Sequence, residues 1–158
     1  MQIRKATLDD VFDIIEVVQS SYKFSYRGYL PDDYLDNLCI TEDILQKWQD
    51  YLQKYECYVA EKQKRIVAFM MLDTPSTEVF EINILYVKPE YQKMGIGSQL
   101  VDYACDIKKA SGYKKCSVWT MKNGPAISFY INLGFIFTGE EREWKFGLQI
   151  EHFCKDLY

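Results

Sequence analysis

Leu85-Tyr86-Val87-Lys88-Pro89-Glu90-Tyr91-Gln92-Lys93-Met94-Gly95-Ile96-Gly97-Ser98-Gln99-Leu100 decides how the chain folds. The run Val79 to Val87 that leads into it is rich in β-branched and aromatic residues and reads as a strand ending at Lys88-Pro89. Beyond the glycines, Ile96, Leu100, Val101, Ala104 and Ile107 mark one helical stripe, terminated near Ser111-Gly112. A strand therefore passes into a helix through Gln92 to Gly97. Backbone N–H groups converge at such a junction, and the helix dipole favours an anion there. A phosphate-binding turn is the direct inference, with a merely structural turn as the competing one. Gly95 and Gly97 permit unusual backbone angles and close approach of a ligand, and Lys93 adds a mobile positive charge. The turn lacks the third spaced glycine of a dinucleotide fingerprint and the Gly-Lys-Ser/Thr ending of a nucleotide P-loop.

Upstream, Cys57 to Glu61 and Ile66 to Leu72 are β-rich runs joined by the polar turn Lys62-Gln63-Lys64-Arg65, so a hairpin is expected. A second turn, Asp73 to Thr77, leads into the strand ending at Val87, giving three consecutive antiparallel strands. Nearer the amino terminus, residues 2–6 form a short strand. Thr7 then offers an N-cap hydroxyl, and Val11, Ile14, Ile15 and Val18 predict an amphipathic helix over roughly 8–20. From Tyr22 to Tyr34 that spacing gives way to an aromatic and acidic stretch, with Pro31 placed to open a short helix. Helical spacing returns in Ile44, Leu45, Trp48, Tyr51 and Leu52.

Downstream, Lys115 to Thr120 reads as a strand, Pro125 to Leu133 as a helix, and Phe135 onward as closing strands. The fold class is α/β of the α+β kind. A mixed, mostly antiparallel central sheet of about six to seven strands is flanked by helices, with a parallel pair in its middle.

With 158 residues, 48% of them apolar, the chain suits one domain spanning 1–158. A net charge of −4 argues against general nucleic-acid binding and suits a cationic partner better. The amino terminus meets Asp9-Asp10 before any apolar run, so it is no secretory signal, and no stretch is apolar enough to span a membrane. Five cysteines without a C-x-x-C spacing and a single histidine, His152, disfavour a disulfide framework and a metal site. A reduced cytoplasm with structural thiols is the expectation. His152 reads as a partly buried strand residue.

The stretch from Leu85 to Leu100 resembles the main cofactor motif of the GNAT superfamily of N-acetyltransferases: an apolar-aromatic-Val strand end, a Q/R-x-x-G-x-G/A turn, then a helix. The second family motif, N-x-x-A-x-x-F-Y-x-x-x-G-F, appears as Asn123 to Phe135. The resemblance implies acetyl-CoA as cofactor, with Gln92, Lys93, Met94, Gly95, Ile96, Gly97 and Ser98 forming the pyrophosphate turn. The main chain of Leu85, Tyr86 and Val87 would hold the pantetheine arm. It implies that the strand ending at Val87 splays from Lys115 to Thr120, and that Asn123, Ala126, Phe129 and Tyr130 line the cofactor.

Tyr130 matches the family tyrosine assigned to protonate, or hydrogen-bond, the departing coenzyme A thiolate; the plainer reading is an aromatic packing residue. Glu81, on the strand leading into the motif, is the candidate base. If the strand alternates regularly, it shares a face with Leu85 and Val87. A water chain, or a solvated structural glutamate, is the alternative. The loop after the first helix corresponds to the family's acceptor region, so Tyr26 and Tyr29 are candidate substrate-binding residues, together with Glu81. Asp32 and Asp33 are better explained as helix capping. Direct transfer to a small-molecule primary amine, favoured as cationic by the acidic balance, is the implied reaction. A non-catalytic acyl-CoA-binding module and a protein N-terminal acetyltransferase are the alternatives. Many relatives associate, so a homodimer is the oligomer the resemblance allows.

Overall fold

The computed structural model describes all residues, Met1–Tyr158. Seven strands form one mixed sheet in the order β1-β2-β3-β4-β5-β7-β6. They are β1 (Gln2–Lys5), β2 (Glu56–Lys62), β3 (Arg65–Asp73), β4 (Val79–Val87), β5 (Lys115–Met121), β6 (Ile136–Glu143) and β7 (Gln149–Asp156). The helices are α1 (Val11–Ser25), α2 (Asp32–Asp36), α3 (Glu42–Lys54), α4 (Ile96–Ala110) and α5 (Ile127–Asn132). The sheet is mixed as expected, with β4 parallel to β5. No helix is long and apolar enough to cross a membrane. The chain groups into two compact units, Met1–Leu72 with Ile84–Leu100, and Asp73–Asn83 with Val101–Tyr158, and both β4 and α4 run from one into the other.

In the first unit β1 pairs antiparallel with β2, and β2 with β3, in registers such as Ile3↔Ala60 and Val59↔Phe69. The hairpin between β2 and β3 turns on Gln63 (φ 51°) and Lys64 (φ 61°). Two successive left-handed residues are what a two-residue primed turn requires, because that turn matches the twist of its strands. One core cluster joins Ile14, Ile15 and Val18 of α1, Trp48 of α3 and Val59 and Phe69 of the strands, with Ile84 and Tyr86 packed against it. Trp48 meets Phe69 edge to face, with centroids 5.7 Å apart. Such a pair adds about 0.5–1.5 kcal/mol beyond burial alone.

Two sequence expectations need correcting. The helix expected over 8–20 begins with a single 3₁₀ turn, Leu8–Asp10, where the Thr7 N–H donates to Asp10 Oδ2 at 2.8 Å; regular α-helix starts at Val11. It also continues to Ser25, past the point where aliphatic spacing stops. The stripe does not lapse at Tyr22: Ser21, Tyr22 and Tyr26 continue its period with polar and aromatic side chains, and Ser21 is buried. The helix expected from Pro125 to Leu133 is the shorter α5, Ile127–Asn132.

In the second unit the parallel ladder pairs Val79–Ile82 with Lys115–Val118. β5 then pairs antiparallel with β7, and β7 with β6. Phe80, Ile82, Cys116, Val118, Phe135 and Phe153 are buried there. β6 is an exposed edge strand whose register shifts between Phe137 and Glu141, with Gly139 at φ 91° inside the shift. A bulge of this kind blunts an edge that would otherwise invite pairing with another chain.

Candidate functional site

The glycine turn of the first unit has the geometry of an anion site. Pro89–Tyr91 make one 3₁₀ turn, Lys93 (φ 61°) and Gly95 (φ 81°) take left-handed angles, and α4 begins at Ile96. Gln99 donates its N–H to Gly95 O at 3.0 Å, which makes Gly95 the residue just outside the helix. The N–H groups of Ile96, Gly97 and Ser98 therefore have no intrahelical acceptor. Lys93, Met94 and Gly95 are exposed, whereas the Ile96 side chain is buried and anchors the turn. Gly95 is required by its backbone angle, since an added Cβ would meet only Gln99 Nε2, at 3.8 Å. Gly97 is helical, so at that position the unusual backbone angle expected of both glycines is not found.

The end of β4 is tied down on both edges. Lys88 N–H donates to Val67 O at 2.9 Å. The Val87 carbonyl accepts from Ser21 Oγ at 3.2 Å and from Gln92 Nε2 at 3.1 Å. Tyr86 sits against two tyrosines of the α1 region. Its ring centroid is 5.5 Å from that of Tyr22, Tyr22 is 4.9 Å from Tyr26, and the Tyr26 and Tyr86 hydroxyls are 3.2 Å apart. Burial pushes the phenols of Tyr22, Tyr26 and Tyr86 up from the ordinary range, so all three stay neutral at physiological pH. Of the two proposed acceptor tyrosines, Tyr26 thus has its hydroxyl on Tyr86, and Tyr29 is 44% exposed in the connection to α2. Pro31 stands at the cap position before α2 without a side-chain cap hydrogen bond, so Asp32 and Asp33 do not cap the helix as expected; they lie within its first turn, where negative charge suits the helix dipole, and Asp32 pairs with Arg27 at 3.2 Å.

The second unit carries the ionisable candidates. Glu81 is half-buried on β4 and accepts from Ser117 Oγ of β5 at 3.2 Å, and Ser117 itself is 2% exposed. Tyr130 is 6% exposed and packs edge to face on Phe129 (5.0 Å) and Phe135 (5.4 Å). Its N–H donates to Ala126 O at 3.2 Å, where Ala126 is the residue before α5. Asn123 is exposed at φ 58°, and Gly124 follows it with its N–H on Met121 O at 2.9 Å. An added Cβ on Gly124 would lie 2.8 Å from that same oxygen, so only glycine fits.

Among the cysteines, Cys57, Cys105 and Cys116 are buried; burial pushes the Cys57 thiol up to about 12 and also raises that of Cys116, which suits structural thiols at those two positions. His152 is a half-buried β7 residue whose Nδ1 lies 2.9 Å from Thr138 Oγ1.

Three residues escaped sequence reasoning: Ser21, Ser117 and Gly124. Ser21 left one signal, a polar side chain on the apolar stripe three residues after Val18. Gly124 left another, the Asn-Gly pair of a tight turn. Ser117 left none, because its partner lies on another strand.

Known proteins resemble the chain in family and in fold. Residues 53–137 match the family model described as an acetyltransferase (GNAT) domain. An uncharacterized N-acetyltransferase of Archaeoglobus fulgidus is 31% identical over 137 residues, 82% of this chain and 89% of that one. A spermidine N(1)-acetyltransferase of Thermoplasma acidophilum is 26% identical over 85% of this chain and 88% of its own length. Among solved structures, a PaiA N-acetyltransferase of Thermoplasma acidophilum in complex with coenzyme A superposes with a TM-score of 0.77 at 23% identity, covering 98% of both chains. A GCN5-related N-acetyltransferase of Rhodopseudomonas palustris gives 0.83 at 20% identity, over 99% of this chain and 95% of that one. At such identities the structural likeness speaks for the fold.

Proposed function

The chain belongs to the GNAT acetyltransferase family, and from that membership we propose that it moves an acetyl group from acetyl-CoA to the primary amine of a small cationic acceptor by direct attack in a ternary complex. The observation that carries this reading is the start of α4, where three helix N–H groups without intrahelical acceptors open beside a glycine. A diphosphate fits such a place, because it supplies several acceptor oxygens and the negative charge the helix dipole favours. The amides of Met94 to Ser98 would hold it, with Gln92 and Lys93 shaping and charging the turn, and the main chain of Leu85 to Val87 would hold the arm. Asn123, Ala126 and Phe129 are the proposed cofactor residues of the second unit.

When bound, acetyl-CoA supplies an acyl group already activated as a thioester. The chain supplies proton handling. An alkyl amine is protonated at neutral pH and must lose that proton before it can attack. Glu81, oriented by Ser117, takes the proton directly or through water. The Tyr130 hydroxyl donates to the departing thiolate. Tyr29 and Tyr26 present aromatic rings to a cationic acceptor. The net charge of −4 and the similarity to a spermidine N(1)-acetyltransferase support a cationic amine.

Calorimetry with acetyl-CoA, followed by thiol release across polyamines, aminoglycosides, amino acids and peptides, tests the reading. No binding at millimolar cofactor would sink it. Saturable binding without turnover on any amine would leave a binding module, and turnover confined to peptide amino termini would replace the small acceptor.

A further inference from the structure

The Val87–Lys88 peptide has a distinctive set of partners. Its N–H points to β3, where it donates to Val67 O at 2.9 Å. Its carbonyl therefore points to the opposite edge of β4, because the two groups of one trans peptide diverge. On that edge a buried serine of α1 and a side-chain amide of the glycine turn both donate to it, at 3.2 and 3.1 Å. A carbonyl oxygen has two lone pairs, and here both are used. Val87 O is thus closed to any ligand. The N–H of Val87, which in an extended strand points to the same side as its own carbonyl, is the group left facing that edge.

We propose that Ser21 is a positioning residue for the end of β4 that reads the cofactor arm, acting with Gln92 through the Val87 carbonyl. Ser21 is 0% exposed and contributes no apolar side chain to the α1 stripe. Removing its hydroxyl leaves Val87 O with one donor and leaves the strand end held by the turn alone. The Gln92 bond links that strand end to the turn holding the diphosphate, and the Ser21 bond links it to α1. Tyr22 and Tyr26 bring two more α1-region side chains to Tyr86, the preceding strand residue. Ser21 thereby sets the direction of the Val87 N–H, while the α4 N–H groups are set independently by their own helix.

That independence gives the test, which rests on the proposed function. Calorimetric titration compares wild type, Ser21→Ala and the near-isosteric Ser21→Cys. The ligands are acetyl-CoA and adenosine 3′-phosphate 5′-diphosphate, which keeps the diphosphate and lacks the arm. Both variants should bind acetyl-CoA about three- to tenfold more weakly, the size of one hydrogen bond. The armless nucleotide should bind within about twofold of wild type. A Ser21→Ala, Gln92→Met double variant should lose less acetyl-CoA affinity than the product of the single losses, since both side chains act on one oxygen. Equal weakening for both ligands would mean a merely structural serine and would overturn the proposal. So would unchanged acetyl-CoA affinity in Ser21→Cys. If wild type binds the armless nucleotide but gains nothing from the arm, the positioning role fails while the diphosphate site stands. If it binds neither ligand, the proposed function fails and takes this inference with it.

Discussion

Arg4 grips Asp10 with both terminal nitrogens, Nη1 at 2.8 Å from Oδ2 and Nη2 at 2.9 Å from Oδ1, and its Nε reaches Glu61 Oε2 at 2.9 Å. This bidentate pair joins β1 to the turn that starts α1. The Arg4 hydrogen bonds, helped by the Thr7 N–H, hold the Asp10 carboxyl below the usual carboxylate range.

A depressed carboxyl stabilises the fold above its unfolded value, near pH 4, and that stabilisation is lost as pH falls through the lower folded value. Asp10→Asn should therefore cost about 1–3 kcal/mol at pH 7, the range for hydrogen bonds to a charged partner. Urea unfolding at pH 7, 5 and 3 checks this. The gap between wild type and variant should hold from pH 7 to 5 and narrow by pH 3; a gap independent of pH would mean that the charge of Asp10 is not what matters.

The β2–β3 turn makes a second expectation. Gln63 and Lys64 both hold left-handed angles, which cost a residue with a Cβ about 1–2 kcal/mol each. Lys64→Gly relieves one of them, while the freer unfolded chain offsets part of the gain. A net stabilisation of about 0.5–1 kcal/mol should appear as a raised thermal midpoint, with acetyl-CoA affinity unchanged. A lowered midpoint would show that the turn is not strained.

Two glycines should fail for different reasons. Gly95→Ala has room, its nearest contact being a side-chain nitrogen at 3.8 Å, so the damage comes from φ 81°. The turn should shift, and acetyl-CoA affinity should fall more than stability does. Gly124→Ala meets a backbone oxygen at 2.8 Å and must displace the chain between β5 and α5. Its main effect should be on stability, roughly 1–3 kcal/mol by analogy with overpacked sites. Matched unfolding and binding measurements separate the two, and the reverse pattern would reject this assignment.

What could be read from sequence follows from the range of the forces involved. The β2–β3 hairpin and the passage from β4 through Gly95 into α4 are written in local spacing and backbone chemistry, so they were legible. The extent of α1 was not, because Tyr22 and Tyr26 look like a loop until Tyr86 is there to receive them. Ser21 and Val87 are 66 residues apart, and no local pattern announces that a hydroxyl will close a distant carbonyl. Glu81 could be named from its strand, but its Ser117 donor, 36 residues on, depends on the parallel register of β4 and β5.

Glu81 and Tyr130 should separate kinetically, because the proposed function gives one to the incoming amine and the other to the departing thiol. Glu81→Gln keeps the shape of the side chain and an acceptor for Ser117, but it cannot take a proton. Turnover should fall by about 10²–10⁴, the usual range for general acid–base help, with acetyl-CoA affinity nearly unchanged. The deficit should shrink as pH rises toward the amine's own ionisation, since free amine then no longer needs a base. Tyr130→Phe keeps the packing against Phe129 and Phe135 and deletes only the hydroxyl. Turnover should fall without rescue at high pH, because the thiolate still lacks its donor. If product release limits the steady state, both defects would be masked, so single-turnover mixing is the measurement to use. Full single-turnover activity of Glu81→Gln at neutral pH would remove Glu81 as the base and point to an ordered water chain. A Tyr130→Phe defect that disappears at high pH would move Tyr130 from the leaving thiol to the amine.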